Sequence, residues 1–153
     1  MNLKNSIVIL YETFKKHQLN NRIVKCPCGC INEDDEKLIY SKSLNYLEID
    51  DLGFYISKAI TTWGNENDFK HFLPRILEIY SSERYNNYFD LDTIWGKLEY
   101  GKWKDWEKKE IYAITEYVMN DWIDFVNFSD LEISFLHLET YSKFHSIDEL
   151  IKN

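Results

Sequence analysis

Apolar residues along this chain recur every three or four positions rather than every second one, and the longest clean run lies near the middle. Leu52, Tyr55, Ile56, Ala59, Ile60 and Trp63 keep the spacing that lines one stripe of a helix. Asp50 precedes them as a candidate N-cap, with Ile49 and Phe54 placed as a hydrophobic staple. Gly64 suits the left-handed residue that closes a helix, and Asn65 with Asp68 three positions on makes a capping box for the next. Phe69, Phe72, Leu73, Ile76, Leu77 and Tyr80 then repeat the stripe. The pattern predicts two helices that stop and restart within about three residues, and so become antiparallel neighbours at the centre of the core. Pro74 falls inside the second. It has no backbone donor and crowds the carbonyl of Lys70, which predicts a kink or break between Phe72 and Arg75.

Either side of this hairpin the same period continues. Leu3, Ile7, Leu10 and Phe14 predict a first helix over roughly residues 3 to 18, with Lys15, Lys16 and His17 in its last turn, where positive charge complements the dipole, and Asn20 and Asn21 ending it. Asn32 is placed to cap a short helix from Glu33 to about Ser41, and Leu44 and Leu47 lead from it as a linker. Ser81 to Asn87 reads as a loop. Asp90 or Asp92 starts a helix carrying Leu91, Ile94, Trp95 and Leu98, which Tyr100 and Gly101 end. Asp105, between Trp103 and Trp106, is the expected N-cap of the longest helix, which runs to about Asn127 and is apolar on more than one face. Ser129 with Glu132, and Ser146 with Glu149, make capping boxes for two last helices. No strand pattern is sustained and no regular repeat recurs. The expectation is an all-α single domain over residues 1–153, a bundle of seven or eight helices around the central antiparallel hairpin.

Composition sharpens this picture. A chain of 153 residues can bury a proper core, and 16% aromatics with only seven Gly and Pro favours long helices on short connections. No apolar stretch is long enough to span a bilayer, and the run from Ile7 to Tyr11 is interrupted by Glu12 before it reaches the length of a secretory core. Three cysteines within five positions fit a reducing compartment, so a cytoplasmic protein without a membrane segment is expected. The net charge of −8 is uneven, because residues 1 to 30 carry a local +4 and the rest therefore −12. Such a surface repels nucleic acid but suits a basic protein as partner. From Glu110 to Asn153 nine acidic residues stand against Lys143 and Lys152, with Tyr117, Trp122, Phe128 and Tyr141 interspersed. An acidic, aromatic-bearing surface of this kind is the expected binding face, and antitoxins and immunity proteins are its analogues.

Candidate chemistry is sparse. There is no Gly-rich phosphate loop, no nucleophile elbow and no HExxH. His71, Arg75 and Glu78 fall at i, i+4 and i+7 opposite the apolar stripe and, with Trp63, are candidate binding residues; a small hydrolase or transferase would need them to line a cavity. A solvated helix face is the commoner meaning of that spacing. The loop Cys26-Pro27-Cys28-Gly29-Cys30 offers three close thiols that can share a soft metal ion, act as a redox pair, or simply pack in reduced form. Zinc is the cofactor considered, and it would need a fourth ligand such as His71. His137 and His145 are not spaced for joint ligation.

The segment Thr61-Thr62-Trp63-Gly64, followed by Asp68 and by Phe69 through Arg75, and preceded by the cysteine-bearing loop, resembles a family of uncharacterised bacterial proteins in which a TTWG…DFKHFLPR-type segment recurs. The likeness covers roughly residues 26 to 122. It implies a helical bacterial protein and has no established activity to transfer, so it draws attention to His71 and Arg75 without giving either a role. The function expected from the sequence is a non-catalytic cytoplasmic binding protein, with a metal or thiol-redox protein built on Cys26, Cys28 and Cys30 as the alternative.

Overall fold

The computed structural model describes residues 1–19, 22–83, 90–128 and 132–152. Among these it contains eight α-helices, two short 3₁₀ turns and no β-strand. The helices are α1 (Leu3–Phe14), α2 (Glu33–Ile39), α3 (Ile49–Lys58), α4 (Glu66–Ser82), α5 (Leu91–Tyr100), α6 (Lys108–Phe128), α7 (Phe135–Tyr141) and α8 (Ile147–Lys152). This is the all-α architecture that the three-to-four-residue period predicts. The chain divides into two compact units, one of Met1–Thr13 with Trp106–Asn153 and the other of Phe14–Asp105. No helix is long and apolar enough to cross a membrane among the described residues.

In the first unit the core contains Leu10, Ala113, Ile114, Tyr117, Val118, Trp122, Phe125, Tyr141 and Leu150, all buried. Polar atoms at the edges of the aromatic rings anchor the short C-terminal helices on α6. The Trp122 indole N–H donates to the Leu150 carbonyl at 2.9 Å, and the Tyr141 hydroxyl to the buried Asp121 carboxylate at 2.5 Å. His145 Nε2 meets the Thr115 carbonyl at 2.7 Å. The aromatics expected on a surface are therefore largely inside. Tyr117, Trp122 and Tyr141 are core residues, and the expectation for Phe128 falls outside the described side chains. The burial of Trp122 and Tyr141 is compatible with their polar atoms because the partners just named satisfy them internally.

In the second unit α3 lies against both α2 and α4. The two predicted stripes are buried almost residue for residue: Leu52, Tyr55 and Ile56 on α3, and Phe69, Phe72, Leu73, Ile76 and Leu77 on α4. Tyr55 and Phe72 join them, with ring centroids 4.7 Å apart. The capping box at the start of α4 is formed as expected, with Asn65 Oδ1 accepting from the Asp68 N–H and Asp68 Oδ2 from the Asn65 N–H. Asn32 with Asp35, Asp90 with Thr93, and Ser146 with Glu149 also cap as expected.

Several boundaries differ from the sequence expectation, each for a physical reason. The first helix stops at Phe14, and the His17 carbonyl, three residues on, meets His71 Nδ1. Asp50 lies in the first turn of α3, and Glu48 with Asp51 forms its N-terminal box. The helix ends at Lys58, five residues before Trp63, since the Thr62 and Trp63 N–H groups both fold back on the Lys58 carbonyl and Ile60 takes a φ of 65°. Pro74 does not break α4, which runs unbroken from Glu66 to Ser82 with Pro74 buried within it. Capping at Asn65 and a fully buried stripe offset the roughly 3 kcal/mol that an interior proline costs. Asp105 belongs to a 3₁₀ turn, Trp103–Asp105, rather than to the start of α6. The expected caps at Asn20–Asn21 and at Ser129, and most of the loop to Asn87, lie outside the described residues. The described helix that follows Ser129 starts only at Phe135, with Ser134 and His137 closing its first turn.

Candidate functional site

The turn that ends α3 does more than reverse the chain, because a second segment pairs with it. Ile23, Val24, Lys25 and Cys26 run alongside Thr62, Trp63 and Gly64. The Cys26 N–H donates to the Thr62 carbonyl and the Gly64 N–H to the Val24 carbonyl, both at 2.8 Å, with Lys25 opposite Trp63 in an antiparallel bridge. β-Branched residues on both sides, Ile23-Val24 and Thr61-Thr62, favour such extended pairing. Trp63 is thereby drawn inward. It is 1% exposed, packed on Tyr55 and Phe54 at ring centroid distances of 5.4 and 6.3 Å, so it serves the core rather than a surface.

The base of the cysteine loop is closed by charge. Glu36 of α2 is buried, and its carboxylate accepts from Arg22 Nε at 2.8 Å, from Arg22 Nη2 at 2.5 Å and from Lys25 Nζ at 2.6 Å. The Arg22 guanidinium, with help from Lys25, holds the Glu36 carboxyl below the usual carboxylate range. A depressed acid contributes stability that is complete above its unfolded pKa of about 4.3 and is lost as pH falls through the lower folded value. Glu36→Gln is therefore expected to lower stability by about 1–3 kcal/mol at pH 7, measured by urea unfolding, with the gap between variant and parent closing in acid. Equal stability at neutral pH would show that the clamp is ornamental.

Above this clamp the loop Cys26-Pro27-Cys28-Gly29-Cys30 turns back on itself. Gly29 adopts a φ of 77°, and the reversal it permits brings the Cys28 and Cys30 sulfurs to 2.6 Å. The Cys26 sulfur accepts from the Cys28 N–H at 3.4 Å. Cys28 and Cys30 are exposed and Cys26 is half-buried. Hydrogen bonds from the Cys26 and Cys30 side chains, with a backbone N–H at Cys30, lower the Cys28 pKa to about 7. The Cys30 pKa is raised by its hydrogen bond to Cys28, so this thiol keeps its proton and shares it with the Cys28 thiolate. The arrangement is a nucleophile and a protonated partner, both open to solvent.

As a metal centre the loop is less well matched. Among the described residues no group of three or more His, Cys, Asp or Glu side chains is arranged to hold a metal ion. His71, considered as a fourth ligand, directs Nδ1 to the His17 carbonyl at 2.9 Å.

The other sequence candidates fasten loops to α4. Burial pushes the His71 pKa down, so the ring is neutral near pH 7, and its edge packs on Phe72. Arg75 donates through Nε to the Leu47 carbonyl at 2.6 Å and through Nη1 to Glu78 Oε2 at 2.7 Å. His71 thus holds the segment after α1, while Arg75, paired with Glu78 on the same face, holds the carbonyl of Leu47, which is itself buried. Sequence reasoning missed Arg22, Lys25 and Glu36, the residues that position the loop. Their signal is visible afterwards in two cations and an acidic helix start flanking the cysteines.

No family model, curated protein or solved structure matches this chain. The site therefore stands on its own geometry.

Proposed function

We propose that the Cys26–Cys30 loop is a thiol–disulfide exchange site that acts on a disulfide-bearing substrate. The observation that supports this reading is the contact between two exposed thiols, Cys28 and Cys30, on one turn. In the first step the Cys28 thiolate attacks one sulfur of the substrate disulfide. The other substrate sulfur departs as a thiolate and takes a proton from solvent, leaving a mixed disulfide on Cys28. Cys30 then loses its proton and attacks the Cys28 sulfur. A Cys28–Cys30 disulfide forms and the second substrate thiol leaves, so the protein dithiol is oxidised by two electrons and the substrate disulfide is reduced to two thiols.

The pH dependence of alkylation tests this directly. Iodoacetamide is expected to modify one thiol with a rate that rises through pH 7 and levels off above about pH 8, since the Cys28 pKa lies about 7. A Cys28→Ser control assigns that phase. Three thiols titrating together at or above about pH 8.5, with no disulfide formed by oxidised glutathione, would remove the proposal.

The expected acidic, aromatic-bearing face receives less support, because Tyr117, Trp122 and Tyr141 are buried. A basic protein partner for residues 110–153 would have to be recognised by the carboxylates without those rings.

A further inference from the structure

We infer that Cys28 is a shared sulfur, and that the disulfide formed with Cys30 migrates to Cys26, making the loop a three-cysteine relay rather than a simple pair. The inference rests on the exchange reading above and adds to it a destination for the oxidised bond. Its basis is the position of Cys28 between two partners. The Cys30 sulfur lies against the Cys28 sulfur, and the Cys26 sulfur accepts from the Cys28 N–H at 3.4 Å and bonds to the Cys28 side chain as well. Both candidate disulfides link residues two apart in sequence, one across Pro27 and the other across Gly29.

The step balances without an outside reagent. The Cys26 thiolate attacks the Cys28 sulfur of the Cys28–Cys30 disulfide, the Cys28–Cys30 bond breaks, and Cys30 departs as a thiolate that takes up the proton Cys26 gave up. One disulfide and one thiol are present before and after. Only the first oxidation needs a co-reactant, and that is the substrate disulfide itself.

The two disulfides differ in what they hold. Cys30 is exposed on the turn, whereas Cys26 is half-buried and its N–H is bonded to the Thr62 carbonyl beside Trp63. Migration moves the oxidised bond from the loop tip to the backbone that pairs with the α3–α4 turn. The Cys28–Cys30 disulfide is open to an incoming thiol at both sulfurs; the Cys26–Cys28 disulfide is open chiefly at Cys28. The third cysteine thereby stores the oxidised state.

Differential labelling of the full chain tests the relay. The reduced protein is mixed with one equivalent of oxidised glutathione and sampled over time. Free thiols are tagged with N-ethylmaleimide, and the protein is then reduced, treated with iodoacetamide and sequenced by tandem mass spectrometry. The maleimide is expected on Cys26 in early samples and increasingly on Cys30 later, and a Cys30→Ser variant is expected still to close a loop disulfide between Cys26 and Cys28. Maleimide that stays on Cys26 to equilibrium, with Cys30→Ser halted as the glutathione mixed disulfide, overturns the relay and leaves the exchange reading intact. Maleimide on Cys28 overturns the shared sulfur. Three tagged cysteines in all samples overturn both inferences.

Discussion

Gly64→Ala is expected to destabilise the protein by about 2–4 kcal/mol, more than most single substitutions. Two effects add. Gly64 has a φ of 76°, and an L-residue in that left-handed region costs about 1–2 kcal/mol. A Cβ there would also lie 2.8 Å from Ile23 Cγ2 and 2.9 Å from Asp68 Oδ2. Neither neighbour can retreat easily. Ile23 is buried, and Asp68 Oδ2 is already accepting the Asn65 N–H in the α4 cap. The Gly64 N–H also fastens the Val24 carbonyl, so displacement of this residue loosens the strand that leads into the cysteine loop. Urea unfolding of variant and parent gives the comparison. A loss under about 1 kcal/mol would mean that Ile23 and the turn yield readily to a Cβ at this position.

Cys28→Ser is the substitution with the largest expected effect on chemistry: no loop disulfide forms with oxidised glutathione, although folding is retained. Stability should change by no more than about 0.5 kcal/mol, because the side chain is exposed. The low pKa of Cys28 is not itself the main loss. At pH 7 a thiol of pKa about 7 is half ionised where one of 8.5 is roughly 3% ionised, but the intrinsic nucleophilicity falls with pKa, and the net advantage is only about threefold. The greater part of the loss is intramolecular. Cys28 bonds to both other cysteines, and without it a mixed disulfide on Cys26 or Cys30 loses the neighbour two residues away that would resolve it. Mass spectrometry after oxidation should find only glutathione adducts. A disulfide between Cys26 and Cys30 in the variant, formed as fast as in the parent, would contradict the central role of Cys28.

Charge at the loop base and thiol chemistry at its tip are separable. Glu36 acts on where the loop starts and ends, through Arg22 and Lys25, and its removal should lower stability without shifting the alkylation profile of Cys28. The hydrogen bonds that set that profile lie within the loop itself.

Much of the helical layout was legible before any coordinates, and particular residues show why. Asn65 with Asp68 and Ser146 with Glu149 join groups three positions apart, and Asn32 caps the turn it opens, so their geometry is nearly complete once the chain makes one turn. The stripes Phe69–Leu77 and Leu52–Ile56 are read from spacing alone, because helical periodicity brings them to one face whatever else packs there. The positions of His71, Arg75 and Trp63 were not legible in the same way. Spacing put His71 and Arg75 on a common polar face, but whether that face meets water or backbone depends on where the His17 and Leu47 carbonyls come to rest.

The amino-acid order on its own settled the all-α class, the caps and the faces to be buried, since each depends on residues within a turn or two of one another. Only the tertiary structure decided that α3 stops at Lys58, that Trp63 turns inward, and that the cysteine loop is fastened to Thr62 and Gly64 over a clamp on Glu36. The pairing of Val24 and Cys26 with Gly64 and Thr62 brings together backbone groups some forty residues apart, and the clamp joins side chains more than ten apart. Local propensity is silent about such pairs, and the free energy of closing them is won or lost by the packing of the whole unit.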